Sequence, residues 1–371
     1  MAGRRALRAE SFQLPNVLEV VNEHYHAQGM TDGLPIVPPT PEAVERMLGY
    51  TTRDPQEVVA VLPPQKGQAT VEKIAINAVM AGCLPQYFPV VLTAIQALAD
   101  EAYNLYGVLA TTHPCSNMVV VNGPIARELG INGGYNALGQ GWRSNASIGR
   151  AIRLAMMNIA GARPGTLDRA TQGSPAKYAY CFAENEARNP WEPLHVERGY
   201  DVNTSTVTLV GAEGPHNIND HGSTSAESIL TTVAGTMAIL GSNNVFSSGE
   251  PVVVFGPEHA ATIAAEGMTK SQVKTWLYEH SKIVARRFSP ENFARFTKRE
   301  TLRLSGHTGE ITPDTPVACA LAPENIIILV AGGAGKHSCF IPTFGHTRAV
   351  TRPLLLDDNT PAPSVEAYRR S

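Results

Sequence analysis

"VVVNGP" at 119–124 and "VVVFGP" at 252–257 agree at five of six positions, and their reading decides the fold class. In each, three valines form a strand-like run, a glycine permits a turn, and a proline suits the first turn of a helix. The helical segments that follow end at Gly134 and Gly267. A looser third copy, "LPIVPPTPEAVERMLGYT" at 34–51, repeats the six-residue step between prolines, Pro35 to Pro41 against Pro251 to Pro257. It predicts a strand at Leu34 to Val37 and a helix capped by Thr40 with Pro41 at its first position. "NIIILVAGGAGKHS" at 325–338 reads as a fourth strand and turn of the same kind.

Short apolar strands alternating with helices predict an α/β fold of repeated strand-turn-helix units packed in layers and grouped as two related lobes. The expected divisions are a helical arm at 1–30, a first lobe at 31–205, a second at 206–350 and a C-terminal tail at 351–371. Helices are expected within 12–31, over 70–101 with a break at Pro85, after "GQGWRSNAS" with Ser144 or Asn145 as cap, and after Ser225. In such folds ligands gather where loops leave the carboxyl ends of strands.

Composition narrows the function classes. The 371 residues suffice for a sizeable core, and only 17% are charged. A net charge of −3 gives no basic footprint, so nucleic acid is not an expected partner. The N-terminus has Arg4, Arg5 and Arg8 but no apolar run after them, so no secretory signal is expected. No stretch approaches the ~20 apolar residues that span a bilayer, so no membrane partner is expected. Cys83, Cys115, Cys181, Cys319 and Cys339 are scattered without any CxxC, which predicts reduced thiols and a cytoplasmic protein.

Five segments carry candidate chemistry. "AGGAGKHSCF" at 331–340 resembles a phosphate loop but fails at both ends, because Val330 stands where the first glycine belongs and His337 where the hydroxyl belongs. The backbone of Gly333, Gly335 and Lys336 still suits a carboxylate or oxyanion. Cys339 is the candidate nucleophile, with His337 beside it and Lys336 to lower its pKa. "GPHNINDHGSTS" at 214–225 offers His216 and His221 for proton transfer, or alternatively a divalent metal at His216, Asp220 and His221. "TTHPCSN" at 111–117 contributes His113 and Cys115 as substrate contacts. "GQGWRSNASIGRAIR" at 139–153 supplies Arg143 as an anion clamp and Asn145 beside it, while Arg150 and Arg153 read as salt-bridge residues. "CFAENEARNPWEPLHVERGY" at 181–200 reads as a partly buried loop wrapping another lobe or subunit, with Glu184 as a candidate general base.

"DGLPIVPPTP" (32–41), "AINAVMAGC" (75–83), "VNGPIARELGIN" (121–132), "SIGRAIRLAMMNIAG" (147–161) and "ENEARNPWEPLHVERG" (184–199) resemble an uncharacterised bacterial family. Its members are associated with small proteins bearing a Sec/Cys-Gly-Ser-Cys motif. The resemblance covers most of residues 30–350, and the chain has no such motif of its own, so it is similar to the larger associated protein. The resemblance implies a small thiol-bearing subunit as partner and assigns no catalytic residue.

The resulting expectation is an enzyme acting on a small, anionic molecule by hydrolytic or lyase chemistry, without a bound cofactor, as a homo-oligomer. Its site is expected between the lobes, formed by 111–117, 139–147, 214–225 and 332–339. An accessory subunit completing the site of a small thiol or selenol protein is the alternative, as is the His/Asp metal enzyme. No dinucleotide fingerprint is present, which disfavours an NAD or FAD oxidoreductase.

Overall fold

The computed structural model of the protein describes residues 7–297 and 310–370. Its strands in chain order are β1 (Val58–Leu62), β2 (Gly67–Thr70), β3 (Ser116–Asn122), β4 (Cys181–Ala183), β5 (Thr206–Ala212) and β6 (His216–Asn219). They continue as β7 (Val252–Phe255), β8 (Ile283–Val284), β9 (Pro316–Val317), β10 (Ile327–Val330), β11 (His337–Ile341) and β12 (Val350–Pro353). Two four-stranded sheets carry the architecture, in the orders β12-β5-β3-β4 and β10-β7-β11-β6. The β3/β4 and β7/β10 pairs are parallel, and every other pair in these two sheets is antiparallel.

The sheets lie face to face between two helical layers. Met118, Val120, Phe182 and Val210 from one sheet share an apolar cluster with Val252, Val254, Ile327, Leu329 and Ile341 from the other. The alternate residues point outward. Val119, Val121, Val207 and Leu209 pack on the helices Val71–Met80, Phe88–Leu98 and Arg143–Asn158. Val253, Phe255, Ile328 and Phe340 pack on Ala226–Met237, Pro257–Ala265 and Lys270–His280. Burial on both faces explains why these strands read as continuous apolar runs. At roughly 1.5–3 kcal/mol for each fully buried large apolar side chain, this packing outweighs local propensity.

The chain crosses between the two sheets twice. β5 lies in the first sheet, but the chain then crosses to the second as β6. β11 lies in the second, and the chain then crosses to the first as β12. The crossings meet where Ala212 bridges Thr343, with Glu213 N donating to Pro342 O and Phe344 N to Gly211 O, both at 2.8 Å. Buried Asn244 holds this point, accepting from Thr343 N (2.8 Å) and donating to Thr343 Oγ1 (2.9 Å). The divisions expected at 205/206 and 350/351 therefore differ from the sheets: β5 pairs along β3, and the expected tail starts within β12 and buries Leu354, Ala362 and Val365 in the first core.

The "VVVxGP" runs occupy corresponding strands, each parallel to one neighbour and antiparallel to another, but their residues face opposite ways. Val119 and Val121 meet helices, whereas Val252 and Val254 meet the other sheet. A one-residue offset is enough to do this. The match is thus a recurrence of strand-turn-helix grammar, not an in-register repeat. Its glycine does serve one purpose twice: a Cβ at Gly123 would press on the backbone of Ser205, and one at Gly256 would overlap the His337 carbonyl. In both cases the antiparallel neighbour enters directly over the turn.

Local signals held in several places and failed in others. Thr40 caps Pro41–Leu48 through Ala43 N, Ser225 caps Ala226–Met237 through Ser228 N, and the helices flanking Pro85 form as expected. Leu34 to Val37 is irregular: its amides go to the Asn22 side chain, from Ile36 N, and to the Met80 carbonyl at a helix end, from Val37 N, and not to a strand. The long helix starts at Arg143 after Trp142, so Ser144 and Asn145 lie in its first turn and not at its cap. The fourth copy, β10, leads into a strand and not a helix, because β10 and β11 flank β7 on either side.

Gly256 has φ −65°, so alanine there is conformationally allowed and its penalty is purely steric. Gly256→Ala should lower stability by about 2 kcal/mol or more. Gly235, within the helix Ala226–Met237, has open space around it, and Gly235→Ala should raise stability by about 0.5–1 kcal/mol. Urea unfolding of both variants checks the contrast, and coincident midpoints would contradict it.

Candidate functional site

The carboxyl ends of β3, β4, β7 and β10 gather at one end of the sandwich, tied by Asn185 N to Val330 O (2.7 Å) and Gly332 N to Gly133 O (2.8 Å). Three of the expected site groups converge here. His221 and His337 bring their Nε2 atoms to 3.0 Å, and Lys336 Nζ donates to the carbonyls of His221 (3.4 Å) and Ser223 (3.2 Å). Both imidazoles are exposed. Gly333 lies beneath the Tyr135 ring, and Gly335 N is already bound by Glu258 Oε1 at 2.8 Å, so the glycine turn is partly occupied by the protein itself. The expected metal trio does not converge. His216 is exposed and sits opposite Phe340, away from the Asn219–His337 pair, and Asp220 turns its carboxylate to Ser223 N (3.0 Å) and Thr232 Oγ1 (2.9 Å). Among the described residues, no group of three His, Cys, Asp or Glu is placed to hold a metal ion.

Glu184 is at the same end but is a clamp. Its carboxylate accepts from Asn122 Nδ2 (2.7 Å), Leu194 N (2.8 Å), Asn189 Nδ2 (2.8 Å) and Val330 N (3.4 Å). Burial raises its pKa by more than Lys270 and these donors lower it. A carboxylate whose lone pairs are all engaged, out of contact with solvent, is poorly placed as a general base. The rest of the 181–200 loop does wrap the other lobe. Glu197 meets buried Lys270 at 2.7 Å and also pairs with Lys274, while Trp191 Nε1 donates to Met268 O at 2.9 Å.

The remaining expected residues serve structure or lie elsewhere. Arg143 donates twice to the Gly82 carbonyl (3.0 and 2.9 Å). Asn145 is consumed by Asn132 N, Asn132 O and Ala137 O. Cys339 packs against the inter-sheet cluster, and burial pushes its thiol up to about 12, the opposite of an activated nucleophile. His113 and Cys115 are at the far end of the sandwich. There His113 Nε2 meets Glu213 Oε1 at 2.9 Å, and the Cys115 thiol donates to Val108 O and is pushed up to about 12 by burial.

That far end holds a cleft of about 810 Å³ that the sequence reading did not anticipate. Residues 29–33, the carboxyl-terminal half of the helix Arg143–Asn158 and residues 163–178 line it. The loop is anchored to the amino end of β3 by Thr171 N to Thr112 O (3.0 Å) and Ser116 Oγ to Ala176 O (3.0 Å). Asp168 pairs with Arg153 (2.9 Å) and Lys177 (2.7 Å), and Asp32 is held by Arg150 through two bonds of 2.7 and 2.8 Å. Burial alone would raise the Asp168 carboxyl, but Lys177 and Arg153 outweigh it and hold it below its ordinary value. Asp32 is cancelled by Arg150 and Asp168 by one of its two cations. One cation of that pair and Arg163, whose guanidinium has no partner among the described residues, are left in surplus. The only local signal was the density of Gly, Pro, Arg and Asp in "RPGTLDRATQGSP", where Gly165 and Gly173 adopt positive φ.

Comparison of the chain with protein-family models, curated proteins and solved structures gives no match.

Two expectations follow. Iodoacetamide at neutral pH should leave the native thiols unmodified, whereas urea-unfolded protein should gain five adducts by mass spectrometry. Fast native labelling of Cys339 would restore its role as nucleophile. Glu184→Ala takes the acceptor from the buried amides of Leu194 and Val330 and from two asparagine side chains, and should cost about 3 kcal/mol or more. Because the folded pKa is raised, the wild-type advantage over this variant should be largest in acid and shrink as pH rises through the folded pKa. Denaturant curves across pH read this out, and an advantage growing with pH would refute it.

Proposed function

We propose that the protein is an enzyme acting on a small anionic molecule held in the cleft between residues 29–33 and 163–178. The observation that carries this reading is the surplus positive charge there, with Arg163 free to take a ligand's carboxylate or phosphate. Cleft volume supports it, since sites for small organic ligands occupy roughly 300–1,000 Å³. Lys177, 2.7 Å from Asp168, places its Nζ in the cleft, where it suits stabilising a developing oxyanion in hydrolytic or lyase chemistry. Thr166 and Ser174 add hydroxyls, and half-exposed Tyr178 adds an aromatic surface.

A second reading, an accessory subunit for a small thiol-bearing protein, draws on a different observation. Tyr135, Leu138 and Trp142 are 65%, 37% and 39% exposed on one loop beside the glycine turn, as an interaction surface would be. No helix among the described residues is long and apolar enough to cross a membrane.

Calorimetric titration with inorganic phosphate, succinate and citrate tests the first reading. At least one should bind, and Arg163→Gln should weaken it about tenfold or more while leaving thermal stability nearly unchanged. Absence of binding by all three, or equal binding by the variant, would overturn it. Turnover only after a copurifying small thiol protein is added would favour the second reading.

A further inference from the structure

The opposite end of the sandwich carries an independent site. β11 runs antiparallel to β6 with His337 facing Asn219, and the turn at Asp220 then carries His221 over His337. One buried side chain fixes both. His259, 1% exposed, donates from Nε2 to the carbonyl of Asp220, the residue before His221, at 3.0 Å. Its Nδ1 meets Ser338 Oγ, on the residue after His337, at 2.8 Å, and that hydroxyl also accepts from Gly256 N at 3.1 Å. The Asp220 carboxylate pins the loop from the other side through Ser223 N and Thr232 Oγ1. Two exposed imidazoles on separate segments are thereby held together by a buried third.

The two Nε2 atoms stand at hydrogen-bonding distance, and the same spacing also suits two ligands of one ion. Nitrogen ligands ~2.1 Å from a metal and at right angles to each other stand ~3.0 Å apart, whereas tetrahedral ligands stand ~3.4 Å apart. The Nε2 atoms are separated by 3.0 Å, and ring centroids only 4.8 Å apart with planes at 84° show tilted rings rather than a head-on pair. We infer that His221 and His337 form a binding site for a divalent transition-metal ion of square-planar or tetragonal preference, copper(II) or nickel(II), with water in the remaining positions. His259 acts one residue away from each ligand, anchoring Asp220 and Ser338 and so fixing where the backbone places His221 and His337. Lys336 is drawn aside by the carbonyls of His221 and Ser223, so its ammonium weakens the site without occupying it.

Titration of the full chain with copper(II), read by calorimetry and electron paramagnetic resonance, tests this. Expected are one equivalent of bound copper and a spectrum with two imidazole nitrogens. His221→Ala and His337→Ala should each weaken binding about tenfold or more and remove one nitrogen, and His216→Ala should behave as wild type. Both ligand positions are exposed, so these variants should fold normally, which circular dichroism confirms. Absence of stoichiometric copper, a spectrum without two nitrogens, or wild-type binding by His337→Ala would overturn the site. Arg163→Gln should bind copper unchanged, which separates this inference from the cleft.

Discussion

Each central strand of this protein has to bury both of its faces. β3 beyond Ser116 and all of β7 are buried: one face of each meets the other sheet and the opposite face meets helices. The second sheet comes from one stretch, β6 to β11, set between β5 and β12 of the first, so the first sheet is completed only when the chain returns from the second as β12. The point where Ala212 meets Thr343, held by buried Asn244, is where both crossings are anchored. Separating the sheets would expose the inter-sheet cluster and break the crossing that joins them, so the halves are expected to unfold together.

The same constraint distributes the chemistry. With the middle of the sandwich filled by apolar side chains, polar groups have room only at its two ends. The carboxyl ends of the parallel strands take the histidine pair and the Glu184 clamp, and the opposite end takes the cationic cleft. Long-range polar contacts at the first end are largely spent on joining the two halves. That explains why a loop as rich in carboxylates as 184–197 leaves Glu184 with no vacant lone pair and engages Glu197 with Lys270.

Several of the expected site residues sit in environments that their neighbours in sequence do not show. Cys339 has the neighbours of an activated thiol in sequence, but alternate strand residues point to opposite faces, and its face is the apolar inter-sheet layer. Arg143 and Asn145 sit at a helix start, yet carbonyls and amides of adjoining loops claim them before any ligand does. His221 and His337 were both legible as candidates, while their partnership was not. They stand 116 residues apart and meet only through the register of β6 on β11. His259, which anchors the residues beside both, had no local signal beyond lying in a helix.

By itself the sequence determined the α/β class, the two apolar strands that end in Gly-Pro, the helix caps at Thr40 and Ser225 and the reduced, scattered cysteines. These depend on residues within a few positions of one another, where backbone sterics and short-range hydrogen bonding act. Tertiary structure alone decided which face each valine run presents, which sheet receives β6 and β12, and which charges remain unmatched in the cleft. Arg150 finds Asp32 across 118 residues, whereas Arg163 finds no partner among the described residues. The difference between a buried salt bridge and a free cation lies in how the helices and loops pack around them, and local sequence carries no record of that packing.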